Sequence, residues 1–212
     1  MPKTPSCTGP SRRDLLGSAG AATVMASAAT MLSPAPTFAQ AAPSAPVRPA
    51  PLKPFDMADV TLDDGPFLHA QRMTEAYLLR LQPDRMLHNF RINAGLKPKA
   101  PVYGGWESEP TWAEINCHGH TLGHYLSACA LAYRSTRDRR FKQRLDYIAS
   151  ELAACQKAAH SGLVCAFPDG PALVAAHING EPITGVPWYT LHKIYAGLRD
   201  AALLADSREA RE

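Results

Sequence analysis

The sequence has no large excess of charge of either sign, and this lack excludes two classes of partner. Its 212 residues carry 22 Lys and Arg against 19 Asp and Glu, a net charge of +3. Without residues 1–41, 19 basic and 18 acidic residues remain. A chain so balanced lacks the basic surface that attracts nucleic acids and anionic membranes. We therefore expect neither as a partner, and the oligomeric state stays open.

The sequence also lacks any pair of cysteines in CxxC spacing, so it contains no zinc-ribbon or CxxC redox motif. Four cysteines follow the N-terminal region: Cys117, Cys129, Cys155 and Cys165. Two of them, Cys129 and Cys155, fall within helical patterns. We therefore predict that the four cysteines are buried free thiols. The alternative is two disulfides, which can form if the protein is exported.

No segment shows the alternation of apolar and polar residues that is typical of a β-strand. The patterns predict helices instead, the first beginning at Gly65-Pro66 with proline at the first helical position. Its predicted inner stripe is Phe67, Ala70, Thr74, Leu78 and Leu81. Further helices are predicted at about 113–134, 138–160 and 187–205, with a loop over residues 83–112. The predicted fold class is all-α.

The first 41 residues have the features of an export signal rather than of a folded segment. Residues 11–16, SRRDLL, resemble a twin-arginine signal, and a weakly apolar run follows to Leu32. Ala39-Gln40-Ala41 supplies a cleavage site with small residues on both sides. We expect export by the twin-arginine pathway, a mature chain that begins near Ala42, and a periplasmic or secreted location.

Residues 115–133, INCHGHTLGHYLSACALAY, contain no Asp, Glu, Lys or Arg. A run of this length can cross a membrane, but three histidines, two glycines and an asparagine are too polar for lipid. On a helical projection His120 and His124 share one arc, while Leu122 and Leu126 lie on the opposite side. A helix with apolar residues on both sides belongs in a core that other helices surround.

The rest of the chain suggests a linker followed by repeated helical hairpins. Residues 42–54, APSAPVRPAPLKP, predict a Pro/Ala linker, and residues 55–212 the domain. The helices match at an offset of 68, through the pairs His124/His192, Ala128/Ala196 and Asp138/Asp206. Helical pairs of this kind need neighbours to bury their faces. We therefore expect the chain to be the front part of a longer protein.

Three roles are open for the histidines of HTLGH, residues 120–124. Their spacing suits a metal, but the glutamate of an HExxH motif is missing. They can be core histidines, or they can face a polar ligand. His192 favours the ligand site because Trp188, Tyr195 and Arg199 share its helix face. Aromatic rings cover the apolar C–H patches of a sugar, and His and Arg bind its hydroxyls.

A loop rich in aromatic and acidic residues leads into the first inner helix. It is YGGWESEPTWAE, residues 103–114, and it carries Trp106, Glu107 and Trp112. Because it can close over the same site, we predict that Trp106 and Glu107 contact the substrate.

Six segments, taken in order, resemble one known family. They are DVTLDDGPF, LLRLQPDRMLHNFRINAGL, YGGWE, GHTLGHYLSACA, YIASELAACQ and VPWYTLHKIYAGL. Together they resemble the N-terminal part of the catalytic domain of glycoside hydrolase family 127, the β-L-arabinofuranosidases and their relatives. The resemblance implies part of an (α/α)6 barrel with β-sandwich domains behind it. It also implies retaining hydrolysis of terminal β-L-arabinofuranosides of plant glycans or glycoproteins.

The resemblance further implies a cysteine nucleophile at a zinc ion, which cysteines and a glutamate bind, and a second glutamate as acid/base. A zinc-bound thiol stays deprotonated and is therefore a competent nucleophile. In the family these residues come after the part that this chain resembles. We therefore assign no catalytic or zinc-binding role to any cysteine or glutamate here, and we expect this chain by itself to bind no zinc.

Two histidines of the family contact the substrate. The first, in PWYTLHKIYAGL, corresponds to His192. The second lies near GHYLSA, where His118, His120 and His124 all fit the alignment. We choose His120, which lies on the inward arc near the loop, and interpret His124 as structural. We also predict that Trp188, on the same helix as His192, contacts the substrate.

Two other functions remain open on the sequence. The chain can belong to another (α/α) barrel sugar enzyme, such as an epimerase or an unsaturated-uronyl hydrolase. It can also be a non-catalytic, sugar-binding remnant.

Overall fold

The computed structural model describes residues 52–212, which contain helices and no β-strand. The predicted leader and most of the predicted linker lie outside the described residues. The α-helices in this range are α1 Pro66–Arg80, α2 Pro83–Met86, α3 His88–Asn93, α4 Pro110–Glu114, α5 His120–Thr136, α6 Arg139–Ala159, α7 Gly170–Ile178 and α8 Pro187–Leu204. One-turn 3-10 helices lie at Met57–Asp59 and Gly105–Glu107. The predicted all-α class is confirmed.

Helix α1 begins at Pro66, as predicted, because the fixed φ of proline suits the first helical position. Its predicted inner stripe is only partly confirmed, since Leu78 is buried whereas Phe67 is 78% exposed. The hydroxyl of Tyr125 donates to the carbonyl of Leu78 at 3.0 Å. The described core therefore meets α1 at its C-terminal end.

Helices α5 and α6 form a helical hairpin. Arg137 ends α5 in the left-handed conformation, and the Asp138 carboxylate caps α6 by accepting the Arg140 N–H at 2.9 Å. The apolar stripe of α6 is fully buried and contacts α5. Its largest members are Phe141, Leu145, Ile148 and Leu152. The predicted helix at 138–160 is thus confirmed.

The predicted helix at 113–134 is wrong at its start, because a turn over residues 115–119 separates α4 from α5. Asn116 and Gly119 have φ values of 60° and 94°, which an α-helix cannot contain. A Cβ on Gly119 would lie 2.5 Å from the Cβ of Ala166, so glycine alone fits this turn. Tertiary contact, which the helical pattern does not record, therefore sets the first residue of α5.

Helices α5 and α8 pack side by side and run parallel. The Thr190 hydroxyl donates to the Asn116 carbonyl at 2.8 Å, and further along both chains Ser127 donates to Asp200 at 2.7 Å. Since α6 returns antiparallel to α5, the order α5, α6, α8 is that of an inner, an outer and a second inner helix. This order confirms the expected partial α/α barrel.

Two glycines allow α5 and α8 to approach closely. A Cβ on Gly123 would lie 2.2 Å from the Lys193 carbonyl oxygen, and one on Gly197 would lie 2.4 Å from the Gly123 carbonyl oxygen. The helices therefore touch backbone to backbone at this crossing. Around it the core is apolar, with Leu122, Leu126, Cys129, Ile194 and Ala201 fully buried.

The sequence patterns do not predict α7. This helix has Pro171 in its first turn and follows Asp169, which has a φ of 52°. A Cβ on Gly170 would lie 2.3 Å from the Cys165 sulfur, so the helix starts against a buried thiol. Across residues 52–212, no helix is both long enough and apolar enough to cross a bilayer.

Candidate functional site

The candidate site lies where the N-terminal ends of α5 and α8 meet. The turn before α5 is tied to the segment before α8 by two hydrogen bonds. The Val186 N–H donates to the Ile115 carbonyl at 2.7 Å, and the Asn116 side-chain amide donates to the Thr184 carbonyl at 3.1 Å. These bonds hold the first turns of the two helices in a fixed relation.

Aromatic side chains gather at this end of the two helices. Trp106 stacks on His120, with 4.4 Å between ring centroids and 24° between planes, and it stacks on Trp112 at 4.6 Å. Tyr189 lies 5.9 Å from His120, and His124 meets His120 edge-on at 5.6 Å. We call these five residues the ring cluster. Trp106 and Tyr189 are 43% and 45% exposed, so the cluster is open to a ligand.

His120 is the buried member of the ring cluster, with 6% of its surface exposed. Burial lowers its pKa to about 4, and the electrostatic interactions with His124 and Lys193 act in the same direction. The ring is therefore neutral at neutral pH and offers one donor and one acceptor. Its Nδ1 is buried and has no hydrogen-bond partner among the described residues. An uncharged imidazole beside exposed aromatic rings suits a hydroxylated ligand.

The low pKa of His120 predicts a pH dependence of stability. The unfolded chain binds a proton at the ordinary histidine pKa of 6.5, whereas the native ring binds it only near 4. The free energy of unfolding should therefore fall as the pH decreases from 6.5 to about 4. Urea unfolding across this window should show a smaller decrease for His120→Gln. His69→Gln, at an exposed position of α1, should keep the wild-type decrease. Equal pH dependence in wild type and His120→Gln would contradict the prediction.

Glu107 is buried beside the ring cluster, with 4% of its surface exposed. Its Oε2 accepts the Gly119 N–H at 2.8 Å, and its main-chain carbonyl accepts the Asn89 side-chain amide at 2.7 Å. Its Oε1 is buried and has no hydrogen-bond partner among the described residues. The structure thus places Glu107 next to the residue that precedes His120.

His192 and Trp188 lie on the exposed face of α8. Trp188 is 47% exposed and packs against His177 of α7, with 5.7 Å between ring centroids. It does not join the ring cluster; its neighbour Tyr189 does. His192 follows both residues by about one helical turn and is exposed. The helix that the sequence predicts at 187–205 is confirmed.

The structure therefore brings three of the five predicted site residues together: Trp106, Glu107 and His120. Tyr189 and Lys193 also lie here, although neither is among the predicted site residues. The Lys193 ammonium group lies 4.9 Å from the centre of the Tyr189 ring. The spacing of this pair could have predicted the contact, because residues four apart on a helix are neighbours.

The interpretation of His124 as a structural core residue is wrong. His124 is exposed, because it lies on α5 opposite the residues that face α6 and α8. The buried histidine outside α5 is His118, which is 8% exposed and has its Nε2 3.4 Å from the Glu109 carbonyl oxygen. The turn before α5 buries His118 instead.

The described residues do not fit a zinc site. Within residues 52–212, no three His, Cys, Asp or Glu side chains are placed to hold one metal ion. All four cysteines in this range are buried and free, which confirms the predicted thiols. Burial raises the pKa of Cys129, Cys155 and Cys165 to about 11 and also raises that of Cys117. Each thiol is therefore protonated at neutral pH, and none is an activated nucleophile.

Comparison with known families gives a match that covers most of the chain. The model described as "Beta-L-arabinofuranosidase, GH127 catalytic domain" matches residues 59–212. A comparison with curated proteins finds no match. The family match agrees with the helical fold of residues 52–212. The chain therefore belongs to the β-L-arabinofuranosidase family GH127 and carries sequence of its catalytic domain.

Proposed function

We propose that this glycoside hydrolase acts on terminal β-L-arabinofuranosides of plant glycans or glycoproteins, with retention of configuration. The ring cluster and His192 contact the terminal sugar. The stack of Trp106 on a neutral His120 is the observation that carries this proposal. It joins an exposed aromatic face to an uncharged polar ring.

The chemistry of a furanose suits this arrangement. One face of the sugar ring is largely C–H and can lie on the indole of Trp106. The hydroxyls at its edge can exchange hydrogen bonds with the imidazoles of His120 and His192. Because burial keeps His120 uncharged, its bonds to a neutral sugar do not require an ion to be desolvated.

The protonated state of the thiols indicates which part of the reaction residues 52–212 can perform. No described cysteine is deprotonated or placed with two further metal ligands, so residues 52–212 provide sugar contacts in our proposal and no nucleophile. The family assignment favours hydrolysis of arabinofuranosides over the reactions of an epimerase or an unsaturated-uronyl hydrolase. A sugar-binding remnant without turnover is the remaining alternative, and the assay below separates it from an enzyme.

Variants of Trp106 test the proposal. Trp106→Ala should weaken both kcat/KM on an aryl β-L-arabinofuranoside and the affinity for methyl β-L-arabinofuranoside. A loss of about 1–2 kcal/mol corresponds to roughly five- to thirty-fold. Trp106→Phe, which keeps a ring, should lose less. Phe67→Ala, at an exposed aromatic position of α1, is the control.

The outcomes are distinct. If Trp106→Ala and Phe67→Ala match the wild type in both measurements, the ring cluster does not bind the sugar. If calorimetry shows binding of the arabinofuranoside and the purified protein shows no turnover, the sugar-binding remnant is the better description.

We also propose export by the twin-arginine pathway to the periplasm or the exterior. Support comes from the SRRDLL segment, the apolar run and the Ala39-Gln40-Ala41 site. Replacement of Arg12 and Arg13 by lysine should retain the protein in the cytoplasmic fraction. Unchanged fractionation of this variant would contradict export by this route.

A further inference from the structure

The N-terminus of α5 lacks a cap from its own sequence. Gly119 is the residue before the helix and has no side chain to accept an N–H. The usual capping residues, Ser, Thr, Asp and Asn, are excluded from this position. A Cβ there would lie 2.5 Å from the Ala166 Cβ and 2.8 Å from the Phe90 ring, at a φ of 94°. A hydrogen-bond acceptor for the start of α5 must therefore come from elsewhere in the fold.

Glu107 supplies this acceptor. Its Oε2 accepts the Gly119 N–H at 2.8 Å, at the end of α5 where the helix dipole favours a negative charge. The segment that carries Glu107 is itself anchored, because the Glu107 carbonyl accepts the Asn89 amide at 2.7 Å. Glu107 is thus held through both its backbone and its side chain.

Two consecutive residues of the loop contact two consecutive residues at the start of α5. Trp106 stacks on His120, and Glu107 binds the N–H of the preceding Gly119. The two side chains differ in exposure, since Trp106 is 43% exposed and Glu107 only 4%. Trp106 is open to a ligand, whereas the carboxylate is buried under the ring cluster.

We propose that Glu107 is a positioning residue, whose carboxylate fixes the start of α5 and thereby holds His120 against Trp106. This role differs from the direct substrate contact that the sequence predicts for Glu107. Only its effect on turnover rests on the proposed function. Its effect on the geometry of the ring cluster can be measured without a substrate.

The test compares Glu107→Ala and Glu107→Gln, with Glu114→Gln at an exposed site of α4 as the control. Two readouts report the geometry: the exciton couplet of the stacked Trp106–Trp112 pair in circular dichroism, and the NMR titration of the His120 ring. Two more report function: the Kd for methyl β-L-arabinofuranoside, and kcat/KM on an aryl β-L-arabinofuranoside. Thermal unfolding reports whether each variant is folded.

Glu107→Ala should lose the couplet, titrate His120 nearer the ordinary histidine value, and lower kcat/KM roughly ten-fold. Glu107→Gln keeps an oxygen that can accept the Gly119 N–H. It should keep the couplet and the low His120 titration, with a loss of kcat/KM of less than roughly three-fold. The Glu114→Gln control should match the wild type in every readout.

Two results would overturn the proposal. The first is a Glu107→Ala variant that is folded and retains both the couplet and the low His120 titration. The second is a Glu107→Gln variant that loses activity strongly while its couplet and His120 titration stay unchanged, as expected for a direct substrate contact. If Glu107→Ala does not fold, Glu107→Gln decides alone. A retained couplet and a near-normal kcat/KM would support the proposal, and a lost couplet would contradict it. If the wild type neither binds nor cleaves the arabinofuranoside, the proposed function fails, and the couplet and the titration still decide the positioning role.

Discussion

Replacing Gly123 with alanine should lower the free energy of unfolding by about 3 kcal/mol or more, at the upper end of overpacking effects. The added Cβ would lie 2.2 Å from the Lys193 carbonyl oxygen and 2.7 Å from the Ile194 backbone nitrogen. Both neighbours are backbone atoms within α8, so no side-chain rotation can relieve the contact. The two helices must separate instead, which opens gaps around Leu126 in a close-packed core.

Urea denaturation monitored by circular dichroism measures this loss. Gly197→Ala should behave similarly, because its Cβ would lie 2.4 Å from the Gly123 carbonyl oxygen. Gly104→Ala is the matched control: Gly104 has a φ of −71°, and no atom lies within 4 Å of its Cβ position. If Gly123→Ala has the same midpoint as Gly104→Ala, then α5 and α8 do not touch backbone to backbone.

Replacing His192 with alanine should reduce kcat/KM on an aryl β-L-arabinofuranoside by roughly ten- to a hundred-fold while the melting temperature changes little. Loss of a hydrogen bond to a sugar hydroxyl costs about 1–3 kcal/mol. Stability should be retained because His192 is exposed and lies on the opposite side of α8 from the fully buried Ile194. His69→Ala, an exposed histidine of α1, serves as the control.

His124→Ala completes this comparison. Truncation of a buried structural histidine would destabilise the protein. Because His124 is exposed, the melting temperature of His124→Ala should also change little. A sharp drop in the melting temperature of His192→Ala, with normal turnover in the folded fraction, would show that His192 belongs to the core. The proposed sugar contact would then be wrong.

The helices that the sequence predicts well are those whose signals are local. Helix α6 has Asp138 as its cap and an apolar stripe at helical spacing, and the structure confirms both. Helix α8 has Pro187 at its start and places Ile194 and Ala201 in the core, with Trp188 and Tyr195 on the exposed face. Local capping and spacing decide these elements, so the chain alone is enough to find them.

The errors concern residues whose conformation depends on distant partners. The predicted helix at 113–134 is interrupted because Asn116 binds Thr184 and because Gly119 packs tightly against Ala166. Both partners are more than forty residues away along the chain. A helical projection weighs only neighbours within a few turns, so it cannot register such contacts.

The candidate site shows the same division. The residue types and their motifs, by themselves, determined the family, the sugar-directed chemistry and the choice of Trp106, His120 and His192. Only the tertiary structure decided that Tyr189 joins the ring cluster, whereas Trp188 packs against His177. Residues 188 and 189 are adjacent and both aromatic, and they point about 100° apart around α8. Which of them meets His120 depends on how α8 is rotated against α5, and the packing of Gly123 against Lys193 fixes that rotation.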